Sequence, residues 1–372
     1  MKTKNLTQVS NITTGKLDAN AEIPDGKFPF FTCAPTPLRI NTFSFDDDVV
    51  LLAGNNAQGN FHLQRYKGKF DAYQRTYVIT AKKGYDIDYI RYSLELSLKH
   101  LKRLAQGSQT KFLTMQILDS FQVLDFPYEE QKTLISSVYA IDSKIRLNDR
   151  ICSELEAMAK TLYNYWFVQF DFPDENGKPY RISGGEMVWN EQLKREIPKG
   201  WNVTTINDMT HSYRGVSYDK KDLLPTAENG ILVLRGNNIQ NNRLVYDANV
   251  AYVPCSLVSK EQQIRAHDII LTMSSGSKDH IGKCTMFQYD SPHTYGAFLT
   301  KFTPESDKVG FVYLSMISDF FKKKIQAICN GTGINNLTNE TFDNLVFPKP
   351  DKTILGYFEE IVAPLFDIVN IS

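Results

Sequence analysis

Between Pro127 and Trp166 the apolar residues Leu134, Val138, Ile141, Ile145, Cys152, Leu155 and Leu162 recur at the alternating four-and-three spacing of a coiled-coil seam. That pattern predicts one long helix whose apolar stripe requires a partner helix. Pro127 suits a first helical position, Glu129 and Glu130 favour the positive end of the helix dipole, and neither Gly nor Pro interrupts the stretch from Tyr128 to Trp166. Asn148 stands in the seam where a hydrophobe is expected, a substitution that costs stability and fixes register. The alternative is a polar residue at the rim of a surface helix. Elsewhere the apolar runs are short. Phe28–Thr32, Val49–Ala53, Tyr77–Ala81, Ile231–Leu234, Ile269–Met273 and Ala297–Phe302 read as strands between Gly, Asn and Pro clusters, and Tyr89–Leu104 and Phe311–Ile328 read as helices.

These elements occur twice. A shift of 224 residues lays Tyr89–Thr114 on Tyr313–Thr338 without a gap, matching Lys99 with Lys323, Gly107-Ser108 with Gly331-Thr332, and Leu113-Thr114 with Leu337-Thr338. Shorter shifts match Gly26 with Gly230, Asp48-Val-Val-Leu-Leu with Asp268-Ile-Ile-Leu-Thr, and Leu6, Val9, Ile12 and Gly15 with Ile206, Met209, Ser212 and Gly215. After the repeat, Pro350 takes the place of Pro127, and Ile361 and Ile368 fall where Val138 and Ile145 fell. The expected order is globule (1–126), long helix (127–166), connector (167–203), second globule (204–349) and a shorter helix (350–372). The connector is rich in aromatics, Gly and Pro, which suits an ordered extended segment.

With 372 residues, 42% of them apolar, the chain exceeds one ordinary domain and can bury real cores. Lys plus Arg equals Asp plus Glu at 42 each, so net charge alone attracts no polyanion. Charge is uneven locally: from Phe61 to Phe112 Lys and Arg outnumber Asp and Glu eleven to four. Five scattered cysteines with no Cys-x-x-Cys suit a reduced, cytoplasmic chain without structural zinc. No run approaches the roughly 20 apolar residues of a membrane span.

Catalytic motifs are missing. No phosphate-cradling Gly-x-x-x-x-Gly-Lys-Ser/Thr loop, no dinucleotide fingerprint and no metal-spaced histidines occur, and Ser274-Ser275-Gly276-Ser277 has no paired base in view. Asp46-Asp47-Asp48 is an acidic cluster that reads as a solvated turn before Val49–Ala53, the alternative being a site for a divalent ion. What remains suits nucleic acid. The amide-rich loops at Asn55, Asn56, Gln58 and Asn60, and at Asn237, Asn238, Gln240 and Arg243 after Arg235, offer groups that bond adenine or guanine edges. The loops carrying Ser108, Gln109 and Lys111, and Thr332 and Asn335, follow basic helix ends with Lys102 and Arg103, and Lys322 and Lys323. Arg65, Lys82, Lys83, Ser275 and Lys278 complete the candidate DNA contacts, with hydroxyls and cations placed for phosphates. Any one such loop also reads as a turn using Asn and Gly for positive φ.

The duplicated globule-helix order, together with Tyr163-Asn-Tyr-Trp-Phe-Val-Gln-Phe-Asp-Phe-Pro173, Gly177-Lys-Pro-Tyr180, Gly184-Gly185-Glu-Met-Val and Glu196-Ile-Pro-Lys-Gly-Trp201, resembles the specificity subunit of type I restriction-modification systems over nearly the whole chain. The resemblance implies an α+β chain of two strand-rich target recognition domains, each followed by a helix. The helices would pair antiparallel as a spacer. Each domain would read half of a bipartite site in double-stranded DNA, and the helices would dock methyltransferase subunits. Catalysis, with S-adenosylmethionine, ATP and Mg, would belong to those subunits and to restriction/translocase subunits. This chain would bind no cofactor.

One departure stands out. The second helix has about half the length of the first and contains Pro364, which should bend it or shift its hydrogen bonds. Part of the first seam is then unmatched: methyltransferase helices cover it, or two chains self-pair through it, or the chain is a truncated variant. A coiled-coil protein adaptor and a stand-alone enzyme are the readings of other classes.

Overall fold

The computed structural model describes residues 2–107, 109–246, 250–332 and 336–371. The chain divides into two compact units, a first module Met1–Ile145 and a second module Arg146–Ser372. Their boundary falls inside the long helix Tyr128–Tyr163, and residues 167–203 belong to the second module.

The first module is built on a six-stranded sheet in the order Ser10–Thr14, Thr76–Ala81, Phe45–Ala53, Leu63–Ala72, Phe28–Phe31, Leu38–Ile40. Neighbours are antiparallel except Phe28–Phe31, which runs parallel to Leu63–Ala72. Alternation along the central strand sends Val50 and Leu52 to one core with Leu6, Val9, Ile79, Ile90 and Leu94, and sends Val49 and Leu51 to another with Phe31, Phe70 and Val78. Asp46–Asp48 lie within that strand, not in a turn before it, and Asp48 pairs with Arg65 and Lys67.

The second module repeats this frame. Thr210–Arg214, Leu299–Pro304 and Ile269–Thr272 reproduce the order of Ser10–Thr14, Thr76–Ala81 and Phe45–Ala53, and Gly230–Leu234 runs parallel to Thr294–Tyr295. The registers place Thr14 opposite Tyr77 and Arg214 opposite Thr300, and Val50 opposite Ile79 and Ile269 opposite Phe302. Val50 therefore corresponds to Ile269, one residue away from the sequence match of Asp48 with Asp268. In a strand such a slip exchanges the two faces. Asp268 occupies the buried place of Val49, whereas Asp48 is on the opposite face against Arg65. Likewise Phe31, rather than Phe30, matches Leu234, since both carbonyls accept from the residue after the parallel strand, Tyr73 and Gly296.

Gly15 and Gly215 hold the frame together at the same point. A Cβ at Gly15 would lie 1.9 Å from the Ala72 carbonyl oxygen, and one at Gly215 2.2 Å from that of Gly296. Only glycine lets the backbones approach so closely.

Each expected helix within a module is broken in two: Ile87–Leu96 and Leu98–Leu104 at Ser97, and Val309–Ile317 and Asp319–Thr332 at Ser318. At Ser318 the backbone is extended, and its hydroxyl donates to the Ser315 carbonyl and accepts from the Phe321 N–H (2.7 and 3.1 Å). A serine can end one helix and start the next in this way.

The long helix differs from its expected seam in the first module and matches it in the second. In the first module its buried side chains are Gln131 and Ile135, with Tyr139 half-buried, whereas Leu134, Ile141 (61% exposed) and Ile145 (54%) face outward and Val138 is intermediate. At about 100° per residue these two stripes lie roughly a quarter turn apart on the helix. In the second module Cys152, Ala159 and Tyr163 are buried, Leu155 and Leu162 are half-buried, and Asn148 is intermediate, all close to the phase of the predicted stripe. The C-terminal helix Lys352–Ile371 covers this part and runs antiparallel to it: Cys152 Sγ approaches the Val369 carbonyl (3.4 Å), and Tyr163 and Trp166 pack on Phe358. Its buried residues are Leu355, Phe358, Val362 and Phe366. Ile361 and Ile368, the expected contacts, are exposed, because the larger aromatic side chains bury more area and take the inward face. The helix continues through Pro364.

The connector is ordered. A hairpin of Met187–Asn190 and Arg195–Pro198 joins a cluster of Phe167, Phe170, Phe172 and Trp201 rings. Among the described residues no helix is long and apolar enough to cross a membrane, and no group of three His, Cys, Asp or Glu side chains is arranged to hold a metal ion.

Candidate nucleic-acid interface

In the first module the chain leaves strand Phe45–Ala53 and pairs Asn55 with Phe112 and Asn56 with Lys111. The amide-rich turn and the loop after the basic helix Leu98–Leu104 thus form one surface. Most of the amides build the turn itself. Asn56 Oδ1 accepts from the N–H groups of Gln58 and Asn60 (2.9 and 3.0 Å), Asn60 Nδ2 donates to Gln58 Oε1 (3.3 Å), and Lys102 Nζ donates to Asn60 Oδ1 (2.6 Å). Asn55 and Gln109 instead line a cleft with Thr110, Phe112 and Arg75. Arg75 also borders a second cleft, with Thr14, Gln74, Tyr77 and Leu113. The Tyr77 hydroxyl donates to the Leu113 carbonyl (2.9 Å) and fixes this floor. Gln74 and Arg75 are the two exposed residues of the turn between Leu63–Ala72 and Thr76–Ala81. Among the described residues no hydrogen bond or ion pair engages the Arg75 guanidinium.

The other candidate cations are held to different degrees. Arg65 Nε lies 2.8 Å from Asp88 Oδ1, and its guanidinium also pairs with Asp48. Burial works against its charge, but the two carboxylates outweigh that and push its pKa up. It is a structural ion pair. Lys82 donates to the Thr7 carbonyl. Lys83 and Arg103 are exposed, Lys111 is half-exposed, and Ser108 lies outside the described residues.

In the second module the amide-rich loop serves the fold. Asn238 is buried, accepts from the Arg235 N–H and donates to the Val245 carbonyl (both 2.9 Å). Arg235 Nε donates to the Tyr218 hydroxyl (3.1 Å), Gln240 donates to the Asn237 carbonyl (3.2 Å), and Arg243 lies 3.4 Å from Asp149 and 3.6 Å from Glu156 of the long helix. This loop follows Gly230–Leu234, the counterpart of Phe28–Phe31, whereas the loop at Asn55 follows the counterpart of Ile269–Thr272. The two amide-rich loops are therefore not equivalent. The counterpart of Asn55 is Ser274, bridged to Asn336 as Asn55 is to Phe112. Ser275 accepts from the Ser277 N–H (3.2 Å), Lys278 is exposed, and Lys322 and Lys323 are exposed on the helix Asp319–Thr332. Asn335 and the side chain of Thr332 lie outside the described residues.

The second module has its own cleft at the same place on the frame. Leu113 N donates to the Gly54 carbonyl, and Leu337 N to that of Met273; Gly54 N donates to the Arg75 carbonyl, and Met273 N to that of Phe298. These bonds pair Gly54 with Met273, Arg75 with Phe298 and Leu113 with Leu337. Thr14 and Tyr77 correspond to Arg214 and Thr300 by register, and Gln74 to Ala297 by its place in the turn. All six counterparts line one cleft of about 420 Å³ with Ser274 and Asn336. Thr14, Gln74, Arg214 and Phe298 carry no sequence motif that marks them, and Arg75 stands out only as one of the local cations. The available signal is a two-residue turn directly before each matching strand.

A family model for the type I restriction modification DNA specificity domain matches residues 1–157 and 198–370. The chain belongs to this specificity family. It is 38% identical over 204 residues to the specificity subunit of the type I restriction enzyme EcoDI from Escherichia coli, a match covering 53% of this chain and 45% of that protein. It is 22% identical over 314 residues to the specificity subunit of the type I restriction enzyme MjaVIII from Methanocaldococcus jannaschii, covering 82% of this chain and 69% of that protein. The chain thus matches less than half the length of the EcoDI subunit. In fold, it superposes on the crystal structure of the S subunit of a type I restriction-modification system from M. genitalium with a TM-score of 0.60 at 14% identity, covering 99% of this chain and 90% of that one.

Proposed function

We propose that this specificity-family chain is the sequence-reading, non-catalytic subunit of a type I restriction-modification assembly in the cytoplasm. Each module binds one half of a bipartite site in double-stranded DNA. Methyltransferase subunits dock on the helices and bring S-adenosylmethionine, and restriction/translocase subunits bring ATP-driven and Mg-dependent chemistry. The observation that carries this reading is the duplication itself: one frame built twice, with a solvent-open cleft at the same place and different side chains in it. A protein reading two unlike half-sites through one docking geometry needs that arrangement, because backbone contacts set register while the side chains at base edges specify sequence.

The test is selection of the full chain, alone and with its methyltransferase partner, on a pool of randomised duplexes. Enrichment of a two-part motif is expected, with affinity that falls steeply as salt rises. Binding that is blind to sequence under both conditions would refute the proposal.

A further inference from the structure

We propose that the equivalent clefts are the base-reading sites of the two modules, with Arg75 and Gln74 specifying bases in one half-site and Arg214 and Phe298 in the other. This rests on the DNA-reading function proposed above and names the residues that perform it.

Three observations converge. First, the frame around the clefts keeps its character while the lining does not. Val50 and Ile269, Leu52 and Leu271, Ile79 and Phe302, and Leu113 and Leu337 are apolar and buried in both modules. Arg75 is replaced by Phe298, Gln74 by Ala297, Thr14 by Arg214 and Asn55 by Ser274. A change of side chains at the solvent-open lining, over apolar positions kept in both modules, is what two different base sequences on one docking frame require.

Second, the side chains offered have base-reading chemistry. The Arg75 fork, exposed beside Gln74, Asn55 and Gln109, suits a guanine flanked by positions where an amide pairs with adenine. In the second module Arg214 Nε donates to the Ala297 carbonyl (3.2 Å), which holds its guanidinium at the cleft. Phe298 is 67% exposed at the tip of the turn, an apolar group suited to a thymine methyl. Third, several rival polar residues are committed to the fold: Arg65 and Arg243 to carboxylates, and Asn238 to buried backbone bonds.

The experiment is the same duplex selection with full-chain variants, their folding checked by circular dichroism melts. Arg75→Ala should relax one base position of one half-site, lowering discrimination there roughly 5- to 150-fold, the span of one bidentate base contact, and leave the other half-site unchanged. Arg75→Lys, which keeps the charge but not the fork, should relax the same position. Arg214→Ala and Phe298→Ala should act only on the other half-site. An unchanged motif in all four variants, or equal weakening on every sequence, overturns the assignment while the DNA-reading function stands. Failure of the unaltered chain to enrich any motif overturns that function and the assignment together.

Discussion

At one place in the shared frame the first module buries Val49 and Val78, and the second buries Asp268 and Lys301. The Lys301 Nζ is 3.1 Å from Asp268 Oδ2 and donates to the Gln263 carbonyl (2.9 Å), and Asp268 accepts from the Thr303 hydroxyl and the Arg265 N–H (2.5 and 2.7 Å). The same fold is thus closed once by dispersion and once by a satisfied charge pair. A buried pair is tolerated because its lone pairs and protons find partners, not because it is stronger than the apolar alternative. The difference teaches that the duplication preserved geometry and left chemistry free, in the core as well as at the clefts.

Breaking this pair is the largest effect we expect. Lys301→Met strands the Asp268 carboxylate and should destabilise the second module by about 3–5 kcal/mol. The double change Asp268→Val with Lys301→Val imitates the first module and should recover at least half of that loss. Urea unfolding, with the transition of the first module as internal reference, checks both. A double variant no more stable than the single one would mean that the frames are less alike than their registers indicate.

The modules also differ in how each anchors its helix. In the first, Asp86 caps the helix Ile87–Leu96 locally, accepting from Asp88 and Tyr89 N–H, and buried Gln131 from the long helix bonds the Asp86 N–H and the Gly84 and Phe126 carbonyls. In the second, the helix Val309–Ile317 has no side-chain cap of its own. Glu359 from the C-terminal helix supplies one, accepting from the Gly310 and Phe311 N–H groups (2.9 and 2.8 Å). Glu359→Gln turns one acceptor into a donor that faces an N–H, and should cost the second module about 1–3 kcal/mol. Gln131→Glu brings a carboxylate against two carbonyls, and should weaken only the first.

The Glu359 carboxyl also gives the second module a pH dependence that neutral Gln131 cannot give the first. Burial raises its pKa above the ordinary glutamate value, and the two N–H bonds only partly oppose that. Between the ordinary and the raised value the folded state holds a proton that the unfolded state has released. Stability from this group is therefore highest on the acid side and declines as pH rises through that window, then levels off. Unfolding midpoints over about pH 4 to 8, compared with Glu359→Gln, isolate the slope. An identical profile in the variant would assign it to other carboxylates.

Legibility followed the range of the interaction. The duplication, the long helix and the strand positions could be read because alternation and heptad spacing are local. The one-residue slip between Val50 and Ile269 could not, since Asp48 and Asp268 look alike in sequence and only the ladder distinguishes them. Glu359 and the pairing phase of Lys352–Ile371 depend on contacts distant in the chain, so the sequence led to Ile361 and Ile368 whereas Phe358 and Phe366 face inward. At the clefts, amide-rich composition led to Asn238 and Asn56, which are occupied by turns. The clefts are made by turn residues such as Arg75 and Phe298, whose significance appears only when the two modules are compared.

The smallest effect expected on folding belongs to the exposed stripe of the long helix. Ile141 and Ile145 share the phase of Cys152, Ala159 and Tyr163, yet only the second-module residues are covered. If the outward stripe contributes nothing to the fold, Ile141→Asp should shift the first-module unfolding transition by no more than about 0.5 kcal/mol, whereas Ala159→Asp, which puts the same charge on the covered stretch, should cost the second module several kcal/mol by burying it unpaired. Equal losses in both would mean that Ile141 is buried in solution, and a rise in apparent mass of the unaltered chain with concentration, absent in Ile141→Asp, would identify a second copy as the cover.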